Sequence, residues 1–405
     1  MERTILHCDG NSFFASVECA HNPALWDVPM AVCGDPKNRH GFVLAKNEKA
    51  KDFGIVTAET VWQAKRKCPD LVLVPPHHDR YEEYYRRINE IYCEYTDRVE
   101  PFSIDESWLD VTGSKRLFGD GKTIADTLRK RVREELGITI SVGVSFNKML
   151  AKMGSDYKKP DATTVLSRDT YQDLLYPLPV SRLLFAGKSS TDTLLRMGIK
   201  TIGDLAAADK ACVTAALGKI GTQLHDYANG YDPSPVRSFT DKRVAKSVGN
   251  GMTFRHDLTD QKAVENAVLF LTEPVAARLR AAHQFCATVQ LTLKYPSLQT
   301  ITRSRTLQTA TAVTGELYAG LLALLHDYWK AGTPLRSITV TATNLQTEEP
   351  TEQLCLFDES DDTRHERRET LDSAVDSLNG RFGKSAVQRC AVLNHVQDMN
   401  ENEKK

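Results

Sequence analysis

The chain has 405 residues, 41% hydrophobic and 26% charged, enough for two or more domains with their own cores and inconsistent with general disorder or membrane residence. Its formal net charge of −1 hides an asymmetry: residues 346–405 hold 14 Asp or Glu against 8 Lys or Arg, a net of −6, which leaves +5 on residues 1–345. A mildly basic body with an acidic tail permits a nucleic-acid partner, though charge alone does not point to one.

Nine scattered cysteines, without a Cys-x-x-Cys, argue against a disulfide framework or a zinc site and for a reducing cytoplasm. The N-terminus lacks a basic stretch followed by an apolar one, and no run approaches membrane-spanning length. The expectation is a soluble, cytoplasmic protein.

In chain order, Thr4-Ile5-Leu6-His7-Cys8 reads as a short buried strand, and Asp9 follows it at once. Phe13 and Phe14 then open a short helix, where a ring is a core residue or a surface against a ligand. Residues 41–54 read as a strand running into a lysine-bearing helix closed by Gly54, residues 59–68 as a second helix, and residues 71–74 as a buried strand. From 79 to 99 the spacing is helical, with Tyr81, Tyr84 or Tyr85, Ile88, Ile91 or Tyr92, and Tyr95 on one core-facing side. Asp105 and Glu106 come next, flanked by Phe102, Ile104, Leu109 and Val111, as a β-hairpin or strand junction that presents its two carboxylates at the tip. An amphipathic helix through Ile124, Leu128, Val132 and Leu136, capped by Gly137, precedes a strand marked by Ile138, Ile140, Val142 and Val144. This order fits an antiparallel sheet with helices on one face.

An Asp-Glu pair at a hairpin tip is ordinarily a solvated turn. Carboxylates in apolar surroundings, however, repel one another, lose hydration and need a cation to offset that cost. Hard oxygen ligands from two strand ends suit Mg²⁺, which takes a few carboxylates together with substrate phosphates. Asp9, Asp105 and Glu106 are thus candidates for a two-metal phosphoryl-transfer site.

The run from His7 to Glu18, with Phe102-Ser103-Ile104-Asp105-Glu106-Ser107-Trp108-Leu109-Asp110, resembles the two catalytic motifs of the Y-family, translesion DNA polymerases, in their bacterial DinB and UmuC branches. The resemblance implies that Asp9, Asp105 and Glu106 hold two Mg²⁺ ions with help from the Gly10 carbonyl. It implies that Phe13, Phe14, Lys51 and Lys159 meet the dNTP, Phe14 acting as the gate that excludes a ribose 2′-hydroxyl. Three positions depart from the DinB pattern: Asn11 stands for a second Asp, Lys51 for an Arg, and Glu48 for a Tyr that bonds the phosphates. A carboxylate at 48 cannot do that work, so phosphate handling differs in detail.

Residues 143–160 are similar to the family's third motif, which places Lys159 at the β- and γ-phosphates and Lys148 and Lys152 along the palm. Residues 166–235 are short helices, with Phe185-Ala186-Gly187-Lys188 and Met197-Gly198-Ile199 looking like a helix-hairpin-helix that grips duplex backbone. After a linker at 236–242 and a basic stretch that includes Lys246, strands at 287–295, 299–307 and 336–344 alternate with helices near 260–283 and 313–331. There Arg303 and Arg305 share one strand face, suited to DNA phosphates. Last, Gln353, Leu354, Leu356 and Phe357 look like the peptide that bacterial polymerases insert into the sliding clamp, ahead of a helix at about 362–380.

The implied architecture is α+β, a right-hand polymerase: a ferredoxin-like palm (1–14 and 78–165), small fingers (15–77), a helical thumb (166–235), an α+β little finger (243–345) and an acidic tail (346–405) carrying the clamp peptide at 353–357. The implied activity is template-directed, low-fidelity DNA synthesis in damage tolerance, by a monomer acting on primer-template DNA and dNTPs. A nucleotidyl cyclase shares the palm and metal pair but needs no thumb, little finger or clamp peptide. A non-catalytic DNA-binding scaffold would tolerate loss of the acidic triad.

Overall fold

The computed structural model describes residues 2–34, 41–241, 244–348, 362–383 and 386–390, residues 362–364 by backbone alone. They form two compact units, one ending at Asp241 and the other beginning at Val244.

In the first unit β1 (Ile5–Gly10) leads into α1 (Phe13–His21). A small subdomain follows: β2 (Met30–Cys33), β3 (Val43–Lys46), α2 (Glu48–Asp52), α3 (Val61–Lys67) and β4 (Val72–Val74), its strands ordered β3-β2-β4. The chain then returns through α4 (His78–Cys93), β5 (Val99–Pro101), β6 (Glu106–Asp110), α5 (Lys115–Phe118), α6 (Gly121–Leu136), β7 (Ile140–Ser145), α7 (Lys148–Tyr157) and β8 (Thr163–Val165). Five short helices complete the unit: α8 (Tyr171–Leu175), α9 (Lys188–Arg196), α10 (Ile202–Ala207), α11 (Lys210–Leu217) and α12 (Lys219–Ala228).

The principal sheet runs β5-β6-β1-β7-β8. Side chains alternate across it. Leu6 and Cys8 of β1, Leu109 of β6 and Val142 and Val144 of β7 point to one face, where they share a core with Tyr81, Tyr84, Ile88 and Tyr92 of α4 and Leu128 and Val132 of α6. Ile5 and Trp108 point the other way and pack on Ala151 of α7. Two features differ from expectation. The sheet is mixed, because β8 runs parallel to β7 across the α7 crossover, and helices cover both faces rather than one. The second layer escapes a reading by hydrophobic periodicity because β7 meets α7 with small or polar residues: Ser141 and Ser145 are buried, and a Cβ on Gly143 would lie 1.9 Å from the Ala151 carbonyl oxygen. Only a residue without a side chain lets α7 come so close.

The second unit is built from β9 (Ser247–Leu258), α13 (Gln261–Ala281), β10 (Phe285–Lys294), β11 (Thr300–Thr311), α14 (Thr314–Tyr328), β12 (Leu335–Gln346) and α15 (Asp362–Phe382). Its antiparallel sheet, ordered β11-β10-β12-β9, packs Val289, Leu291, Leu293, Ile338, Val340 and Ala342 against α13 and α14. Residues 246–254, given no element above, supply the edge strand β9. Arg303 and Arg305 share a face as the alternation requires, and their register opposite Leu291 and Val289 makes it the helix-covered one. Arg303 lies over the Tyr328 ring of α14 at 4.9 Å, and Arg305 is 4.0 Å from Asp327. The other sheet face presents Thr302, Ser304, Thr292, Thr339 and Thr341. The helix expected near 362–380 is α15, held through buried Asp372, which accepts from the Thr314 amide at 2.8 Å and from Arg280 at 3.2 Å.

Candidate active site

β1 and β6 pair so that Asp9 stands directly opposite Glu106, two residues beyond the His7–Trp108 pair. Odd-numbered β1 residues and even-numbered β6 residues face α7, so both acids point under that helix. Asp105, in the turn before β6, is tied to the end of β1 by its carbonyl, which accepts from the Gly10 amide at 2.9 Å. The three acids singled out in the sequence are therefore brought to one pole of the sheet.

α7 and the segment that follows it deliver cations to them. Lys152 Nζ lies 2.8 Å from Asp9 Oδ2 and 3.1 Å from Glu106 Oε1, and Lys159 Nζ lies 2.8 Å from Asp9 Oδ1. Both oxygens of the buried Asp9 thus face ammonium groups. Asp156 joins the cluster, 3.1 Å from Lys152 and 2.9 Å from Lys159. Beneath lies the fully buried His7: its Nδ1 is 2.8 Å from Ser155 Oγ, and its Nε2, 3.6 Å from Glu106 Oε2, is too far for a hydrogen bond. Neither His7 nor Asp156 was singled out in the sequence. His7 could have been found from the strand period that puts 5, 7 and 9 on one face, and Asp156 from its helical spacing to both lysines.

The acids are not equivalent. Burial pushes Glu106 up, but the Lys152 ammonium, which donates to it at 3.1 Å, outweighs that and the carboxyl is held low, at about 2. Asp105 is shifted upward, first by burial and then by repulsion from Asp9 and Glu106, against a 2.6 Å hydrogen bond from Ser103. Among the described residues no cation pairs with it. Burial lowers Lys152, yet Asp9, Asp156 and Glu106 together leave it above its ordinary value. Burial pushes His7 down, favouring the neutral ring.

Four carboxylates, Asp9, Asp105, Glu106 and Asp156, face two ammonium groups, so two negative charges stay uncompensated in a hard-oxygen donor set. That set fits a divalent ion such as Mg²⁺. As the side chains stand, with lysines on the Asp9 oxygens, no group of three or more acidic, His or Cys side chains among the described residues is placed to hold a metal ion.

Around this pole, the Phe13 ring is 3% exposed within the core of the principal sheet, and Phe14 is the ring left half-buried. Phe14 stacks on Tyr81 at 4.0 Å and 8°, and the Tyr81 hydroxyl donates to buried Glu18 at 2.6 Å. Asn11 is consumed structurally, donating to Ser141 Oγ at 2.9 Å and accepting from the Asp161 amide at 2.8 Å. Lys51 is paired with Glu48 at 2.5 Å, and Glu48 also accepts from Ser12 Oγ at 3.3 Å, so the two departures from the DinB pattern neutralise one another. Lys148 reaches Glu100 at 2.7 Å, away from the acidic pole. Gly187 caps the N-terminus of α9 just before Lys188, and Lys246 is exposed ahead of β9. Gln353, Leu354, Leu356 and Phe357 lie outside the described residues.

Known proteins match both units. The impB/mucB/samB family matches residues 8–156, and its C-terminal domain matches residues 245–356. DNA polymerase IV of Acetivibrio thermocellus is 44% identical over 393 residues, spanning 97% of this chain and 98% of that protein. DNA polymerase IV 1 of Bacillus subtilis is 37% identical over 397 residues, spanning 96% and 93%. Among solved structures, a Y-family DNA polymerase chimera superposes with a TM-score of 0.74 at 23% identity, covering 85% of this chain and all of that one, a likeness of fold. With both units matched in family and in architecture, the chain belongs to the impB/mucB/samB family, the Y-family of translesion DNA polymerases.

Proposed function

We propose that the acidic pole of the β1–β6 pair carries out template-directed transfer of a deoxynucleotide from a dNTP to a primer 3′-hydroxyl, in translesion synthesis. The observation that carries this reading is the convergence of Asp9, Asp105 and Glu106 at one sheet end, against Lys152 of α7 and Lys159 just beyond it. Members of this family are metal-dependent nucleotidyl transferases, and Asp9, Asp105 and Glu106, with the Gly10 carbonyl, are the residues that would hold two Mg²⁺ ions. Bound there, such ions supply Lewis-acid stabilisation of phosphoryl charge and lower the pKa of the attacking hydroxyl.

The chain's own groups orient the reactants. Lys159, part-exposed at the rim, donates to phosphate oxygens where negative charge builds up. The Phe14 ring, braced by Tyr81 and through it by Glu18, sets a wall against the sugar; an added 2′-oxygen meets carbon rather than losing a contact. Lys51 adds charge on the fingers side within its pair with Glu48. Gly187 and Lys188 at the start of α9, with Lys246, contact the DNA backbone. Arg303 and Arg305 do so from the rim of the second sheet, since their stems lie on its helix side. Residues 1–14 and 78–165 act as palm, 15–77 as fingers, 166–235 as thumb and 243–345 as little finger. Gln353, Leu354, Leu356 and Phe357 engage a sliding clamp, and the enzyme works as a cytoplasmic monomer.

Primer extension by the full chain with Mg²⁺ and dNTPs, on undamaged templates and on a panel of defined lesions, tests the reading. Extension that copies the template is expected; no extension on any template overturns it.

A further inference from the structure

Asp156 has a place in the cluster but no role in the reaction described above. It follows Lys152 by four residues and precedes Lys159 by three, and its oxygens are divided between them, Oδ2 at 3.1 Å from Lys152 and Oδ1 at 2.9 Å from Lys159. The same two ammonium groups cap the Asp9 oxygens at 2.8 Å each, and Lys152 also meets Glu106. A divalent ion takes lone pairs on those same oxygens and its charge repels the ammonium groups donating into them, so ion and ammonium compete for the same acceptors. Lys152 is only 9% exposed. Were Asp9 and Glu106 its only partners, withdrawal would strand a buried cation, which is costly. Asp156 removes that penalty because it already touches both lysines.

We propose that Asp156 is a positioning residue that retains Lys152 and Lys159 when Asp9 and Glu106 turn to a divalent ion, making ion entry an exchange of ammonium for metal on the same oxygens. This rests on the reading that Asp9 and Glu106 hold the ion. The exchange keeps the apo cluster from repelling itself and keeps Lys159 beside the phosphate site once the ion is in place. It also gives opposite signs to neighbouring substitutions: losing the acceptor hinders the ion, and losing a competing ammonium helps it.

Mn²⁺ binding to the nucleotide-free full chain, read from the electron paramagnetic resonance signal of free Mn²⁺, tests the exchange. Asp156→Asn is expected to weaken binding about tenfold, and Lys152→Ala with Lys159→Ala to strengthen it by a similar factor. In that double-lysine background Asp156→Asn should change affinity less than about twofold. Wild-type affinity in Asp156→Asn overturns the proposal. So does a weakening that persists undiminished without the lysines, which would mark a simple field effect. Should Asp156→Asn not fold, Lys159→Ala alone decides: tighter Mn²⁺ binding is expected, and equal or weaker binding overturns it. Asp9→Asn separates the two readings: unchanged Mn²⁺ binding there means that the ligand assignment fails and takes the exchange with it, whereas weakened binding there beside wild-type affinity in Asp156→Asn overturns the exchange alone.

Discussion

The two large sheets share a plan on one side and part company on the other. Each buries one face under a helix pair, α4 with α6 in the first unit and α13 with α14 in the second. The first sheet carries α7 across its second face, and that helix brings Ser155 onto His7 and Lys152 onto Asp9 of β1, with Asp156 against Lys152. The second sheet leaves its other face without a covering helix among the described residues of its unit, open and lined with hydroxyls and glycine. A third layer is what makes strand-end carboxylates into a shielded site of strongly interacting charges, since burial strengthens each ionic contact and each repulsion. The bare sheet keeps the character of a broad contact surface.

The sharpest way to break this comparison is to lift α7. A Cβ on Gly143 would lie 1.9 Å from the Ala151 oxygen and 2.4 Å from the Ser155 nitrogen, both backbone atoms that cannot step aside. Gly143→Ala is expected to lower stability by about 3 kcal/mol. Displacing the lysines should also slow primer extension by at least about 100-fold, although every carboxylate remains. Full activity with an undisturbed melting curve would show that α7 does not shape the site.

Next in size is sugar selection. Phe14→Val should raise ribonucleotide incorporation relative to deoxyribonucleotide by about tenfold or more, leaving DNA affinity unchanged. Unchanged selectivity in competing single-nucleotide incorporations would refute the gate. Deleting residues 353–357 probes the opposite end of the chain: stimulation by a sliding clamp should vanish while basal synthesis persists, and equal stimulation without them would count against the clamp peptide.

Smaller effects distinguish the acids themselves. Glu106 is held at about 2, below the ordinary 4.5, so it stabilises the fold above pH 4.5 and that contribution drains away as pH falls toward 2. Asp105 is shifted upward from the ordinary 3.8, so it works in reverse, costing stability as pH rises above that value. In chelator at pH 7, urea unfolding should find Glu106→Gln less stable than wild type and Asp105→Asn more stable. Between pH 4.5 and 2 the Glu106→Gln curve should be the flatter. Shifts of the same sign in both variants would contradict the division of roles. The smallest change belongs to the second sheet. A Cβ on Gly251 would meet Thr339 Oγ1 at 2.4 Å, a side-chain atom on the open face that can turn away, so Gly251→Ala should cost about 1 kcal/mol or less and spare nucleotidyl transfer.

Much of the site can be read from the chain alone, for physical reasons that also mark where such a reading stops. Asp9 and Glu106 sit at ends of apolar runs whose period fixes their neighbours, and Asp105 follows from the turn between them. Phe13 and Phe14 look alike in sequence; only the helix phase of α1 sends one ring into the core and leaves the other at the surface. Alternation shows that Arg303 and Arg305 share a face but not which layer covers it, because that depends on α14 packing from far along the chain. Ser141, Gly143 and Ser145 read as a solvated strand face and are a helix-packing groove, since small residues serve both ends equally well. His7 gains its meaning from Glu106 and Ser155, more than 90 residues away, whereas Asp156 is legible in its spacing to Lys152 and Lys159 but not in the meeting of those lysines with Asp9.

The single-turnover rate of nucleotide incorporation by Asp105→Asn, on an undamaged primer-template with saturating Mg²⁺ and dNTP, tests the catalytic assignment most directly. A fall of at least about 1,000-fold is expected, in a protein whose metal-free melting temperature is no lower than wild type. Incorporation within about threefold of wild type would contradict the placement of that carboxylate at the reacting centre.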